Sequence, residues 1–175
     1  MHNEFKNKFY FINTLNKKNI DKLKPNTSII YRNYKKKLNI FEIIQAKNYC
    51  KSRKLKFFLS NNFKLAIKLK LDGAYIPSFN RYFNHLNYKT KSSFIILGSA
   101  HNIKDIRIKE TQNVEIIFIS SIFKKNKNYL GIFKFNLLSK LTNKKIIALG
   151  GITKKNERKL RLTKSFGFSG ISYFE

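Results

Sequence analysis

Acidic side chains are scarce in this chain: 9 aspartates and glutamates stand against 37 lysines and arginines in 175 residues, a formal net charge of +28. The single cysteine, Cys50, excludes an intrachain disulfide framework and any multi-cysteine zinc site, and it fits a reducing compartment. A half-buried helix thiol is the expected role for it. No apolar run approaches the roughly 18 residues of a membrane span. Met1 to Ile12 mixes lysine with aromatics and lacks a small-residue cleavage site, so a cytoplasmic location with no membrane partner is expected. Nor is there a Pro/Gly/Ser-rich linker or a low-complexity block. With 42% apolar residues the chain has the means to bury a core, and residues 1–175 are expected to form one domain.

Lysine, asparagine, isoleucine and phenylalanine are what the chain has in quantity. Its basic residues are 31 Lys and 6 Arg, spread along the whole length. All four abundant types have A/T-rich codons, so a biased genome accounts for the composition whatever the function. The surface is expected to attract polyanions at low salt and to release them as salt rises. No specific nucleic-acid partner follows from it.

Short apolar runs alternate with amphipathic stretches about eight times. The predicted strands are Phe9–Ile12, Ser28–Tyr31, Lys56–Leu59, Gly73–Ile76, Phe94–Leu97, Ile116–Ile119, Lys145–Leu149 and Gly170–Tyr173. Helical patterns lie between them, the clearest over Ile40–Arg53, with others over Phe63–Lys70, Ile103–Lys109, Asn136–Leu141 and Lys154–Lys164. Strands separated by helices pair in parallel through crossovers. This alternation predicts an α/β fold, a compact (β/α)8 TIM barrel that lacks its final outer helix; an open doubly wound sheet is the alternative. An uncovered apolar face at the missing helix would call for a partner or a homodimer.

In such a barrel, chemistry belongs to strand C-termini and the loops after them. Those positions hold Asn13, Arg32, Ser60, Asn61, Pro77, Ser78, Ser99, His101, Ser120, Ser121, Lys124, Lys125, Lys127, Gly150 and Gly151. They are polar, basic or small. Carboxylates fall mostly elsewhere, Glu4 in the N-terminal tail among them, and only Glu175 comes near. A metal site built by the protein alone, or paired-carboxylate acid/base chemistry, is therefore not expected. Gly150 and Gly151, with Thr153 at a helix start, offer backbone N–H groups to an anion, or else form a simple turn. Arg32 and the Lys124, Lys125, Lys127 cluster would add charge for a pyrophosphate. His101 is a candidate proton donor or hydrogen-bonding residue, or a loop histidine that caps the next helix.

Several strings resemble one family. Ala148-Leu149-Gly150-Gly151-Ile152 followed by Asn156 is similar to the A-I-G-G-I…N signature of thiamine phosphate synthases. Asp72-Gly73-Ala74-Tyr75-Ile76 resembles that family's fourth strand, and Gly98-Ser99-Ala100-His101 the end of its fifth. Ser120-Ser121-Ile122-Phe123 resembles the G-P-I-F segment after the sixth, and Gly167 to Tyr173 the eighth strand. The order is conserved over roughly Phe9 to Glu175.

The resemblance, shared with the related thiazole tautomerases, implies a barrel that joins an aminopyrimidine diphosphate to a thiazole phosphate and releases pyrophosphate with magnesium assistance. Small phosphorylated heterocycles are the implied ligands. Arg32 matches the arginine of the family's second-strand Q-x-R-x-K motif, with Ile30 and Tyr34 in place of its glutamine and lysine. Gly150 and Gly151 match the thiazole-phosphate loop; Ser60, Asn61, Ser99, His101, Ser120 and Lys124 are expected to line the substrate, with Lys125 and Lys127 beside Arg32 in the catalytic group. The family's two magnesium aspartates correspond to the neutral Asn61 and Asn80, which weakens any metal site. Ser121 stands near the tautomerase histidine, so that activity is not implied. Glu175 stands where a phosphate-binding serine is expected. Two further readings compete: a non-catalytic or differently specific phosphate-ligand-binding barrel of the same family, and a basic nucleic-acid-binding domain.

Overall fold

The protein is described by a computed structural model that covers residues 5, 7–34 and 38–175; Glu4 lies outside the described residues. The chain runs through β1 (Asn7–Ile12), α1 (Lys17–Asp21), β2 (Thr27–Tyr31), α2 (Ile40–Ser52), β3 (Phe57–Ser60), α3 (Phe63–Lys68) and β4 (Gly73–Ile76). It continues through β5 (Ile95–Ala100), α4 (Ile103–Thr111), β6 (Ile116–Ser120), α5 (Gly131–Ser139), β7 (Lys145–Leu149) and β8 (Gly167–Ser169). Single 3-10 segments occupy Asn84–Asn87 and Glu157–Leu162. The eight strands pair in sequence order, all parallel, and β8 returns to β1. The barrel is closed, which rules out the open sheet.

Alternate residues of each strand point inward. Phe9 and Phe11, Ile30, Phe58, Tyr75, Leu97, Phe118 and Ile147 form one buried cluster inside the barrel. Aromatic rings dominate it where barrels usually carry branched aliphatics. Gly73 makes room for them: a Cβ there would sit 1.9 Å from the Ile95 carbonyl oxygen and 2.8 Å from the Phe58 ring. Outward residues pack under the helices in two further clusters, one over β1 to β4 with α1 to α3, the other over the remaining strands with α4 and α5. The asparagines that composition alone assigns to codon bias have a structural use. Asn16, Asn39, Asn62 and Asn102 each accept a backbone N–H at a helix N-terminus, the position where this side chain is most favoured.

Five elements differ from the sequence expectation. β8 is Gly167–Ser169, not Gly170–Tyr173. Its inward residues are Gly167 and Ser169, so apolar alternation is invisible there, whereas the apolar residues after Gly170 form a turn in which the Phe174 and Glu175 N–H groups donate to Ile171 O. α5 begins at Gly131 rather than Asn136, and the predicted helix over 154–164 is the 3-10 segment. Helix α1 and the 3-10 segment Asn84–Asn87 are additional; both are too short to show periodicity.

No helix follows β8 in the structure, yet its outer face is covered. Phe168 packs edge-on against Phe5 at 5.7 Å and Tyr173 at 4.7 Å, and Phe174 meets Tyr10 at 5.0 Å. The C-terminal turn thus occupies part of the gap and covers Phe168, while Leu162, Phe166 and Ile171 beside β8 remain exposed.

Gly73→Ala should lower stability by about 3 kcal/mol, because the methyl group meets a backbone carbonyl that cannot move without breaking the β4–β5 ladder. A lower urea midpoint at an unchanged slope would show it; an unchanged midpoint would contradict this account of the interior.

Candidate functional site

At the C-terminal end of the strands the interior turns from apolar to polar. Phe11, Tyr75 and Phe118 form the floor, with ring centroids 5.2 to 6.1 Å apart. Arg32, held at the end of β2 by its N–H to Ile12 O, lays its guanidinium 4.4 Å over the Phe11 ring. Stacking of this kind fixes a cation without neutralising it. Tyr75 is buried, hydrogen-bonds with the Ser99 side chain, and has its phenol pushed well above the usual range by loss of solvent. It is a neutral structural group. Ser60 is likewise engaged, 2.6 Å from the Tyr34 hydroxyl.

The loops after β6 and β7 interlock. Gly150 and Gly151 both take positive φ, 103° and 74°, which side chains disfavour. A Cβ on Gly150 would meet Ser121 Oγ at 2.5 Å, and one on Gly151 would meet Lys124 N at 2.5 Å. The Gly150 carbonyl accepts N–H groups from Phe123 and Lys124. Asn156 holds the far side: its Oδ1 accepts the Thr153 N–H, and its Nδ2 donates to Gly151 O. Among the described residues the Gly150 and Gly151 N–H groups have no backbone partner, so two donors remain for an anion.

These loops enclose a cleft of about 410 Å³. Of the expected residues, Arg32, His101, Ser120, Lys124, Gly150 and Gly151 line it. Ser99 lies beneath it on Tyr75, Ser60 is bound to Tyr34, and Asn61 faces another loop. Lys125 and Lys127 are exposed and outside the lining. His101 Nδ1 is 2.9 Å from the Ser120 carbonyl oxygen; a carbonyl only accepts, so Nδ1 is the donor of this bond and Nε2 is left for the cleft. Asp105 accepts the His101 backbone N–H and fixes the loop.

Sequence reasoning missed Ser172, Asn126 and Asn128, which also line the cleft. Ser172 follows β8 by three residues. The misplaced β8 hid it, and a search for the Gly-x-Ser of Gly170-Ile171-Ser172 would have been the signal. Glu175 instead lines a neighbouring cavity of about 220 Å³ with Asn13 and Thr14, and its carboxylate accepts from the Tyr10 hydroxyl. It does not line the glycine-loop cleft.

Asn61 and Asn80, distant in sequence, meet: Asn80 Nδ2 donates to Asn61 Oδ1 at 2.7 Å. Two neutral amides bring no negative charge to a hard divalent cation, and the Asn61 carbonyl oxygen is already engaged by Asn80, so the pair is a poor fit for a magnesium ion that favours carboxylates. Among the described residues, no group of three or more His, Cys, Asp or Glu side chains is placed to hold a metal. A buried cation stands behind the pair. Lys109 of α4 donates to Asn80 O at 2.8 Å and to Gln112 Oε1 at 2.7 Å, while Gln112 Nε2 donates to Tyr82 O and the Gln112 carbonyl meets His85 Nε2. Together they dock the loop after β4 onto α4 and so position Asn80. Burial lowers the Lys109 pKa from 10.5 to about 8, against the raising effect of Asp105 and with a smaller lowering by Arg81.

Residues 20–174 match the family model described as thiamine monophosphate synthase. A thiamine-phosphate synthase of Methanococcus vannielii is 25% identical over 120 residues, covering 66% of this chain and 56% of the relative. One from Prochlorococcus marinus is 30% identical over 135 residues, covering 75% of this chain and 38% of that protein. The matches thus span well under two thirds of these two relatives. Among solved structures, a thiamine phosphate pyrophosphorylase from Pyrococcus furiosus superimposes with a TM-score of 0.76 at 16% identity, over 96% of this chain and 86% of that one. No described helix is long and apolar enough to cross a membrane.

Lys109→Met gives a pH test of the loop anchor. Between pH 8 and 10.5 the unfolded chain holds more protons at Lys109 than the folded one, so stability contributed by this residue rises with pH across that window. Wild type should therefore gain on Lys109→Met as pH is raised from 8 to 10, read from urea unfolding of both proteins. A constant difference would mean that Lys109 is not a buried ammonium.

Proposed function

From the premise that the chain belongs to the thiamine monophosphate synthase family, we propose that it joins an aminopyrimidine diphosphate to a thiazole phosphate and releases pyrophosphate. The observation that carries this reading is the convergence of the Gly150–Gly151 loop, Arg32, Lys124 and Ser172 on one cleft. The free amides of the glycine loop and the Ser172 hydroxyl are donors for the thiazole phosphate. Arg32, always charged and held flat by Phe11, is the clamp for the pyrophosphate, with Lys124 adding a second charge.

The chemistry asks little acid or base of the protein. The bond between the pyrimidine methylene carbon and the pyrophosphate oxygen breaks, the pair of electrons leaves with pyrophosphate, and the thiazole nitrogen supplies its lone pair to the resulting cation. Holding both rings in line supplies most of the acceleration, and fixed cations stabilise the leaving charge. His101, with Nε2 free to accept, suits an amino group on the pyrimidine ring. The aromatic floor excludes water from the cation. No step is assigned to a metal, because Asn61 and Asn80 are neutral; lysine charge takes over part of that work.

That same neutral pair favours a second reading, a family member that binds a phosphorylated heterocycle without turning it over. Purified protein supplied with both substrates, with and without magnesium, separates the two. Synthesis of thiamine phosphate that falls about 100-fold or more in Arg32→Ala is expected. Absence of product at every magnesium concentration, with thermal stabilisation by thiazole phosphate alone, would replace the synthase reading with the second.

The metal substitution has its own test. In Asn61→Asp combined with Asn80→Asp, two carboxylates within contact distance repel unless a cation lies between them. Millimolar magnesium should raise the thermal midpoint of that variant by about 3 °C and leave wild type unmoved. A wild-type response equal to the variant's would overturn the view that the amide pair excludes the ion.

A further inference from the structure

At the opposite end of the barrel, where β3, β4 and β5 begin, lies a second cleft of about 500 Å³. Its floor is apolar, built from Ile67, Leu71, Phe94 and Ile95. Four lysines line it: Lys56 before β3, Lys70 before β4, and Lys89 and Lys91 before β5. Among the described residues none of these ammonium groups has an ion pair or a hydrogen bond. The one carboxylate in the lining, Asp72, has its Oδ2 engaged by the Phe57 N–H at 2.8 Å. All four lysines are exposed at the cleft's edge, and a multiply charged anion among them supplies the counter-charge that the lining itself does not.

The two halves of the cleft restrict the ligand. An inorganic phosphate leaves the apolar floor in water, and a neutral apolar molecule leaves the lysines without a counter-charge. The volume is in the range of small-molecule sites and accommodates a ring system together with its phosphates. We propose that this cleft binds a nucleotide-class ligand, an apolar planar body carrying a di- or triphosphate, with the ring on Phe94 and Ile95 and the phosphates among Lys56, Lys70, Lys89 and Lys91. None of its residues belongs to the catalytic-end cleft. Occupancy here is therefore independent of the proposed synthase chemistry.

Calorimetric titration of the full chain with ADP, pyrophosphate and adenosine at physiological ionic strength, where loose surface attraction is screened, tests the assignment. ADP should bind at least tenfold more tightly than either fragment. Lys89→Glu combined with Lys91→Glu should weaken ADP at least tenfold, while Arg32→Ala leaves it unchanged. In wild type, ADP should also protect Lys56 and Lys70 from acetylation by acetic anhydride, read by mass spectrometry; this arm needs no variant. Pyrophosphate binding as tightly as ADP would show unspecific charge attraction, and loss of ADP binding in Arg32→Ala would place the nucleotide in the other cleft. Either result, or no ADP binding and no protection, overturns the proposal.

Discussion

Closure of eight parallel strands around a set of aromatic rings is the constraint on which the rest of this molecule depends. Phe9, Phe11, Phe58, Tyr75 and Phe118 fill the barrel, and they fit because β4 opens with a glycine whose missing side chain gives Phe58 its space. The same rings form the floor of the cleft and the platform for Arg32. Interior packing and the position of the principal cation are thus one arrangement. A change that loosened the rings would also misplace the guanidinium.

Two interlocked loops complete the site. Positive φ at Gly150 and Gly151 turns their N–H groups away from internal partners, and the close approach of Ser121 and Lys124 leaves no room for a side chain. Asn156 ties the loop from behind. The result is a rigid turn that presents two N–H groups to the cleft, its left-handed backbone accommodated by glycine. Electrostatically the cleft has cations and no carboxylate in its lining: Glu175 turns to Tyr10, and the two positions that the family resemblance equates with metal aspartates are amides bonded to each other. The long loop that carries Asn80 is docked by a buried lysine and glutamine, so the amide pair is held in place from the outside of the barrel.

Much of this was legible from the order of residues. Seven of the eight strands lie where alternating apolar runs predict them, and Arg32, His101, Ser120, Lys124, Gly150 and Gly151 are legible as residues that follow strand ends. Phosphate-loop strings and the family match agree over residues 20–174. The eighth strand was misplaced because two of its three residues, Gly167 and Ser169, carry no apolar signal. With β8 ending at Ser169, Ser172 lines the cleft and Glu175 a neighbouring cavity. Lys125 and Lys127 share a short basic run with Lys124, yet only Lys124 lines the cleft, since a loop presents neighbours in different directions.

Local sequence determined the number, type and order of the strands, because strand periodicity and turn residues act over a few positions. It also determined the cationic, carboxylate-poor character of the catalytic end. Tertiary structure alone decided which side chains share a cleft. The Asn61–Asn80 contact, the packing of Phe174 on Tyr10 and the lysine-lined cleft at the far end each join segments remote in the chain. Such contacts are set by barrel register and by packing across the fold, and no local pattern encodes them.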